Sequence, residues 1–433
     1  MGLRGPACDV AFRAWVRNAR QPLTKGAVMA KCDRTVRIGL TAGALFLGAC
    51  DEGPAGPPFP DALRSLVGMR AGGFEFDPLG ASAVCLANGS GDRFDLPVGY
   101  RQRVITRESR IAGLVAGIGE DRFDMNTLNE TGRFAGRYLY RTHEVGSNGA
   151  VTRTDLTTLE TVVITQDVGY RNLDGIAWTP WHTLLFAEET TGGRIFEYVP
   201  ATKRVLARAN MGLRLHEGLR VDSRGNVYGI SETTPGYVFK FIPDHGGDLS
   251  SGSSYALKVS DSSRTGAAVW AELDLEAHGL NSTAAAAAVG ATEWGRPEDV
   301  EIAKSTDGNR GAAGVLYVSV TSENLVLGVR LRGENAYVSN FIAGVAGLQN
   351  PDNLALSPSG DLYVAEDNGP GDVWVAATGT DVAAAVVRFA SLRDCGAEPT
   401  GIYFDRNGRT LFVSVQHASW ESGDDLTVAI ERE

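Results

Sequence analysis

DNLALSPSGDLYVAED at 352–367 holds the architecture of this chain in sixteen residues. An acid opens it, apolar residues alternate with others to a Ser-Pro-Ser-Gly turn, and a second alternating run ends in two acids. The same unit recurs as DGIAWTPWHTLLFAEE at 174–189 and EGLRVDSRGNVYGISE at 217–232. EDVEIAKSTDGNRGAAGVLYVSVTSE at 298–323 has a longer turn, TGIYFDRNGRTLFVSVQH at 400–417 ends in Gln-His, and FDMNTLNETGRFAGRYLYRTHE at 123–144 is a weaker copy. Period-2 alternation across a tight polar turn is the mark of a hairpin with one buried face. Further strand-like runs follow, such as GRIFEYV at 193–199 and VFKFI at 238–242.

Hairpins recurring at a spacing of roughly fifty residues, each with room for two more strands, fit the blades of a propeller. No blade buries both faces alone, and stacking around an axis solves that. The expected fold class is therefore all-β, a six-bladed β-propeller, because a β-sandwich would not need six copies of one hairpin. One helical exception is expected at Asn281–Gly290, whose AAAAAV reads as a short capped helix inserted in the fourth blade unit.

The first fifty residues read as an export signal. Lys31, Arg34 and Arg37 precede an apolar run of about ten residues from Ile38 to Leu47. A bilayer span needs roughly 20, so this is a signal-peptide core. Leu47-Gly48-Ala49-Cys50 resembles a lipobox, which makes Cys50 the lipidated first residue and 1–49 the lipoprotein signal peptide, with Met29 a candidate true start. DEGPAGPPFP completes a flexible tether over 50–60, and 61–433 forms one domain. The expected location is the bacterial cell envelope, with membrane contact only through the lipid anchor at Cys50.

Of 41 Lys and Arg and 52 Asp and Glu, 8 basic and 2 acidic residues fall in 1–49, so the mature net charge is about −17. Such a surface repels nucleic acid and suits multivalent cations. Beyond Cys50, only Cys85 and Cys395 remain, a pair expected to bond in an oxidising compartment as ring closure brings the chain ends together.

The repeat also places charge. The first acid of each unit begins an inner strand and the last acid ends its return strand, so both arrive at one rim. The set is Asp174, Glu188, Glu189, Glu217, Glu232, Glu298, Asp299, Glu323, Asp352, Glu366, Asp367 and Glu144, with few cations nearby: Arg171, His216, Arg220, Arg296 and His417. Carboxylates converging in this way raise one another's pKa unless they are protonated, turned outward or neutralised by cations. Hard oxygen ligands favour Ca²⁺, Fe or Mn. Oxygens of Asp174, Glu217, Glu298 and at least one of Glu188 and Glu189 are expected around one cavity. Taken singly, Asp352 in Pro-Asp-Asn could instead hold a turn, and Arg296 could be a salt bridge that offsets repulsion. HExxH, CxxC, GxSxG and GxxxxGK[ST] patterns are all missing.

Over roughly residues 123–417 the chain resembles the PhoX-type alkaline phosphatase family. The pieces that carry this are TPWHTLLFAEE at 179–189, HEGLRVD at 216–222, GATEWGRPEDVEI at 290–302, PDNLALSPSGDLYVAED at 351–367 and the closing TLFVSVQH. The resemblance implies a six-bladed propeller with calcium and iron at its rim that hydrolyses phosphate esters. It implies that Glu188 or Glu189, Glu217 and Glu298 are metal ligands, with Asp352 and Asp367 in matching segments, and that Arg296 is the catalytic phosphate contact. There are two departures. Asp174 stands where the family has an iron-binding cysteine, and the family's twin-arginine signal is absent, Arg34 and Arg37 being separated by Thr35-Val36. Both point to a site dominated by several Ca²⁺ rather than Fe³⁺.

The expectation is thus a monomeric metal-dependent phosphoesterase acting on a small phosphorylated substrate. The alternatives are a calcium-dependent lactonase or related ester hydrolase, or a non-catalytic envelope propeller that binds a ligand.

Overall fold

The computed structural model describes residues 74–433 apart from 88, 90, 116–121, 304–313 and 421–422. The signal peptide, the candidate start at Met29, the lipidated Cys50 and the tether lie outside the described residues. No helix among those described is long and apolar enough to cross a membrane.

The chain is all-β and propeller-like. Among the described residues, 26 strands form five sheets. Two lead in, β1 (Phe94–Asp95) and β2 (Tyr100–Arg107). One sheet then runs β3 (Arg122–Leu128), β4 (Tyr138–Glu144), β5 (Ala150–Asp155) and β6 (Thr161–Gln166), each antiparallel to the last. The next is β7 (Leu173–Trp178), β8 (Leu184–Glu188), β9 (Ile195–Val199) and β10 (Arg204–Ala207).

A nine-stranded sheet follows. It contains β11 (Leu219–Val221), β12 (Val227–Ile230), β13 (Val238–His245), β14 (Asp248–Val259) and β15 (Gly266–Glu272). After the helix α1 (Ser282–Ala288) it continues with β16 (Pro297–Ala303), β17 (Val315–Val320), β18 (Leu325–Arg332) and β19 (Asn335–Ala343). β15 pairs with β14 on one side and β19 on the other, joining two four-stranded runs into one sheet. The remaining strands are β20 (Pro351–Leu356), β21 (Leu362–Glu366), β22 (Asp372–Ala376) and β23 (Val386–Leu392), then β24 (Glu398–Phe404), β25 (Thr410–Gln416) and β26 (Leu426–Arg432).

The first strands complete the last sheets: β1 pairs with β23 and β2 with β26. The start of the described chain thus closes the ring. Phe74 and Phe76 pack into the same core as Phe389, Val413 and Val428. Cys85 and Cys395 form a disulfide, with Cα atoms 5.5 Å apart across 310 positions. A cross-link over so long a loop restricts the unfolded chain strongly. Cys395→Ser is expected to lower unfolding stability by about 2–4 kcal/mol. Urea midpoints that coincide with and without reductant would show the bond to be dispensable.

The quoted hairpins are the inner two strands of each group. Their turns are closed by side chains: Asp222 Oδ1 accepts from the backbone N–H groups of Arg224 and Asn226 (both 2.9 Å), and Ser357 Oγ accepts from Asp361 N (3.0 Å). The strands β3, β7, β11, β16, β20 and β24 line the axis, each beside the next and β24 again beside β3.

The helix is capped as expected, Asn281 accepting from Ala284 N. Its place corrects the sequence reading: it precedes β16, and Ala285 and Ala286 bury against Tyr237, Phe239 and Ala256 of β13 and β14. It therefore belongs with the third group rather than the fourth. The apolar stripe of α1 matches those strands, and sequence order alone could not assign it.

Glycine follows the inner acid where strands crowd the axis. A Cβ built on Gly175 would lie 1.8 Å from the carbonyl oxygen of Glu217, and one on Gly218 would lie 2.0 Å from Asp299 Oδ1. This explains the Asp-Gly and Glu-Gly pairs at 174–175 and 217–218. The atom opposing Gly175 is backbone and cannot swing aside. Gly175→Ala is therefore expected to destabilise the fold by about 1–3 kcal/mol or more, lowering the melting temperature. An unchanged melting temperature would mean that the inner strands can part.

Candidate metal and phosphate site

One acid stands at the head of each axial strand: Asp124, Asp174, Glu217, Glu298, Asp352 and Glu398. The ladder is irregular at four of these positions, with register shifts between Phe123 and Asn126, Leu173 and Ile176, Pro297 and Val300, and Pro351 and Leu354. A bulge re-aims the side chain inside it, here an acid each time. Four more carboxylates join them from the ends of the return strands: Glu144, Glu189, Glu232 and Asp367. Their mutual electrostatic influence ties all ten together.

These groups are not turned out to solvent. Asp174, Glu217, Glu298 and Asp352 are at most 9% exposed. Burial, reinforced by like charge, holds the carboxyls of Asp124, Asp174, Glu189, Glu217 and Asp352 well above the usual carboxylate range. Burial pushes Glu298 up to about 7, and burial together with Asp367 pushes Glu398 up to about 9. Asp174 Oδ1 and Glu217 Oε2 are buried with no hydrogen-bond partner among the described residues. Glu217, Glu232 and Glu298 each offer an oxygen within 4.8 Å of the others. Carboxylate oxygens at such spacing, with Glu217 Oε2 lacking a donor, suit a hard cation.

Arg296 lies among them. Its Nε is 2.7 Å from Glu232 Oε1 and 2.8 Å from Glu298 Oε1, and Nη1 is 3.5 Å from Asp367 Oδ2. Burial works against its charge, but Glu298 and Glu232 more than offset this and raise its pKa. The side chain is still 40% exposed. Read as sequence, Arg296-Pro297-Glu298 is an extended strand that puts the arginine and glutamate side chains on one side; the backbone at Arg296 differs from that. Arg296 has φ +55°, in the left-handed region. Asn172 and Asn350, each two residues before an axial acid, share it with φ +42° and +46°. Asparagine tolerates that conformation, whereas arginine is strained in it. The strain places a cation where the other two sheets carry an amide.

Glu188 stands apart from the cluster. It is bound through both oxygens to Arg194 (2.8 Å each) and accepts the backbone N–H groups of Arg171 and Arg194. The equivalent Glu366 accepts from Trp374 Nε1 and from the N–H groups of Gln349 and Asp372. In each acid pair the first residue therefore secures the following turn, while the second, Glu189 or Asp367, joins the cluster. Glu323 is likewise held by Arg264 and Gly295 N. Asp299 sits deeper, accepting from Leu354 N with Arg220 3.7 Å away.

Two members of the cluster escaped sequence reading. Asp124 lies inside the weak first copy in register with Asp174, a signal that was available. Glu398 precedes the recognisable part of its repeat by two residues, hidden by Pro399.

The family model for alkaline phosphatase PhoX matches residues 193–338 and 331–419, just over half of the chain. The chain belongs to that family. Among solved structures it is similar to PhoX of Pseudomonas fluorescens in complex with vanadate, a transition state analogue. The TM-score is 0.63 at 16% identity, covering 83% of this chain and 98% of that one. It is also similar to the gluconolactonase XC5397 of Xanthomonas campestris, with a TM-score of 0.47 at 15% identity over 82% and 99% of the two chains. No curated protein matches. Both cysteines among the described residues are consumed in the disulfide, so in this PhoX-family chain the described part of the site offers oxygen and no thiolate.

Proposed function

We propose that this PhoX-family chain is a metal-dependent phosphoesterase on a six-bladed propeller, exported and anchored through Cys50, that hydrolyses small phosphate esters. The nine-stranded sheet counts as two blades, with β15 the strap between them. The observation that carries the function is Arg296, strained and half-exposed in a carboxylate cluster where Asp174 Oδ1 and Glu217 Oε2 have no hydrogen-bond partner among the described residues.

Glu217, Glu232 and Glu298 would hold one cation, and Asp124, Asp174, Glu189, Asp352, Asp367 and Glu398 would hold others. Several Ca²⁺ fit this all-oxygen set better than Fe³⁺, Asp174 standing in the place of the family cysteine. Bound cations would neutralise the carboxylates and supply Lewis acidity to the phosphoryl oxygens. Arg296 donates to two phosphoryl oxygens as a planar fork and stabilises the charge that grows on them. Hydrolysis breaks the ester P–O bond. Water supplies the new oxygen on phosphorus, and the alcohol leaves with a proton.

The test is purified protein stripped of metal, then reloaded with Ca²⁺, Fe³⁺ or both, and assayed on p-nitrophenyl phosphate with vanadate as inhibitor. Turnover restored by Ca²⁺ alone and blocked by vanadate is expected. No turnover under any loading would remove the phosphoesterase reading, and a strict need for Fe³⁺ would remove the calcium assignment.

A further inference from the structure

Beside Arg296 lies an open groove of about 670 Å³, within the range that holds a small organic molecule. Its walls continue the site. Thr234 and Pro235 lie two and three residues after Glu232, and the run from Ala291 to Gly295 leads into Arg296. The two walls are stitched together: Arg296 N donates to Thr233 O (3.1 Å), Trp294 N to Gly236 O (3.0 Å) and Gly236 N to Trp294 O (2.8 Å). A phosphate held by Arg296 would therefore have this groove as its neighbour. Trp294 also carries an indole N–H that is buried with no partner among the described residues.

The groove's charge is lopsided. Asp261, Glu293 and Glu323 line it against a single cation, Arg264, which Glu323 and the carbonyl of Glu293 already engage. Asp261 and Glu293 are exposed. Acid at this position repels any second anionic group on the ester.

We infer that this groove is the leaving-group subsite, and that it selects phosphate monoesters of neutral or cationic alcohols over those bearing a carboxylate or another phosphate. The inference rests on the phosphoesterase reading. It assigns Asp261 and Glu293 to specificity, away from the reacting atoms. Arg296 and the axial acids select the phosphoryl group, and the groove selects what departs from it.

The test compares kcat/KM for choline phosphate, glycerol 2-phosphate and 3-phosphoglycerate in the metal-loaded wild type and in Asp261→Lys/Glu293→Lys. The wild type should favour choline phosphate over 3-phosphoglycerate by about tenfold at low ionic strength, and the preference should shrink in salt as exposed charges are screened. The double variant should lose or reverse that ratio, each rate being read relative to glycerol 2-phosphate in the same preparation. Glu293→Gln, a milder change at an exposed position, should move the ratio in the same direction by less. Hydrolysis of all three esters with a ratio that neither charge reversal nor salt moves would overturn the subsite and leave the phosphoesterase reading intact. No ester hydrolysed by the wild type would overturn both.

Discussion

Arg296→Ala is expected to slow phosphate-ester turnover on the order of a hundredfold, while the variant stays folded and loaded with metal. Loss of one donor aimed at developing charge costs roughly 2–4 kcal/mol in comparable sites. Arg296 is also engaged with Glu232, Glu298 and Asp367, so a purely electrostatic role in the resting protein makes a different forecast. On that account the alanine variant would lose stability or bind cations differently, yet keep its activity per metal-loaded molecule. Metal content, melting temperature and kcat measured on the same preparation separate the two. Arg296→Lys sharpens the comparison. Lysine restores the charge but not the planar fork, and it faces the same left-handed backbone. It should therefore recover stability more fully than turnover. Full recovery of turnover by lysine would show that Arg296 acts as a charge alone.

Stripped of cations, the protein should become less stable as pH rises. The acids at the axis have folded-state pKa values above their ordinary ones, with Glu298 near 7 and Glu398 near 9. The folded state therefore holds more protons than the unfolded state between about pH 4 and 9, and stability falls with pH across that window. The loss is absent below about pH 4, where both states are protonated, and is still under way at about pH 9, where the Glu398 carboxyl is half-titrated. Several kcal/mol are at stake, which corresponds to a decline in melting temperature of roughly 5–10 °C for a domain of this size. Added Ca²⁺ should offset the loss, by more at pH 8 than at pH 5, because cation and proton compete for the same oxygens. Thermal melts in chelator and in millimolar Ca²⁺ at pH 5, 7 and 8.5 test this. A chelated protein that gains stability with pH would mean that the acids are satisfied by donors and need no cation.

The repeat was readable because two periodicities coincide in it. Alternation marks each strand, and the acids at both ends mark the rim. Asp174, Glu217, Glu298 and Asp352 could be placed on one mouth from that pattern alone. Which of two adjacent acids faces inward could not. Glu188 and Glu189 differ by one step along the strand, and the choice falls to Arg194, a partner outside the repeat. The conformation of Arg296 was equally hidden, since Arg-Pro-Glu reads as extended chain and the left-handed turn appears only once Thr321 N bonds to Arg296 O. The strap β15 left no sequence mark, because GAAVWAE has the alternation of any strand and nothing local names its second partner.

That strap sets the behaviour of one seam. Most neighbouring sheets around the axis meet through side chains, which can slide or part by small amounts as the ring breathes. Between β14 and β19 the hydrogen-bond ladder is continuous through β15, at the edge farthest in the sheet from the axial strands β11 and β16. These two four-stranded runs are thus tied at their outer edges by amide ladders whether or not an ion is present. Amide protons of β14, β15 and β19 should accordingly exchange with solvent at the same slow rate before and after loading, while the seams between separate sheets slow down only when the ion binds.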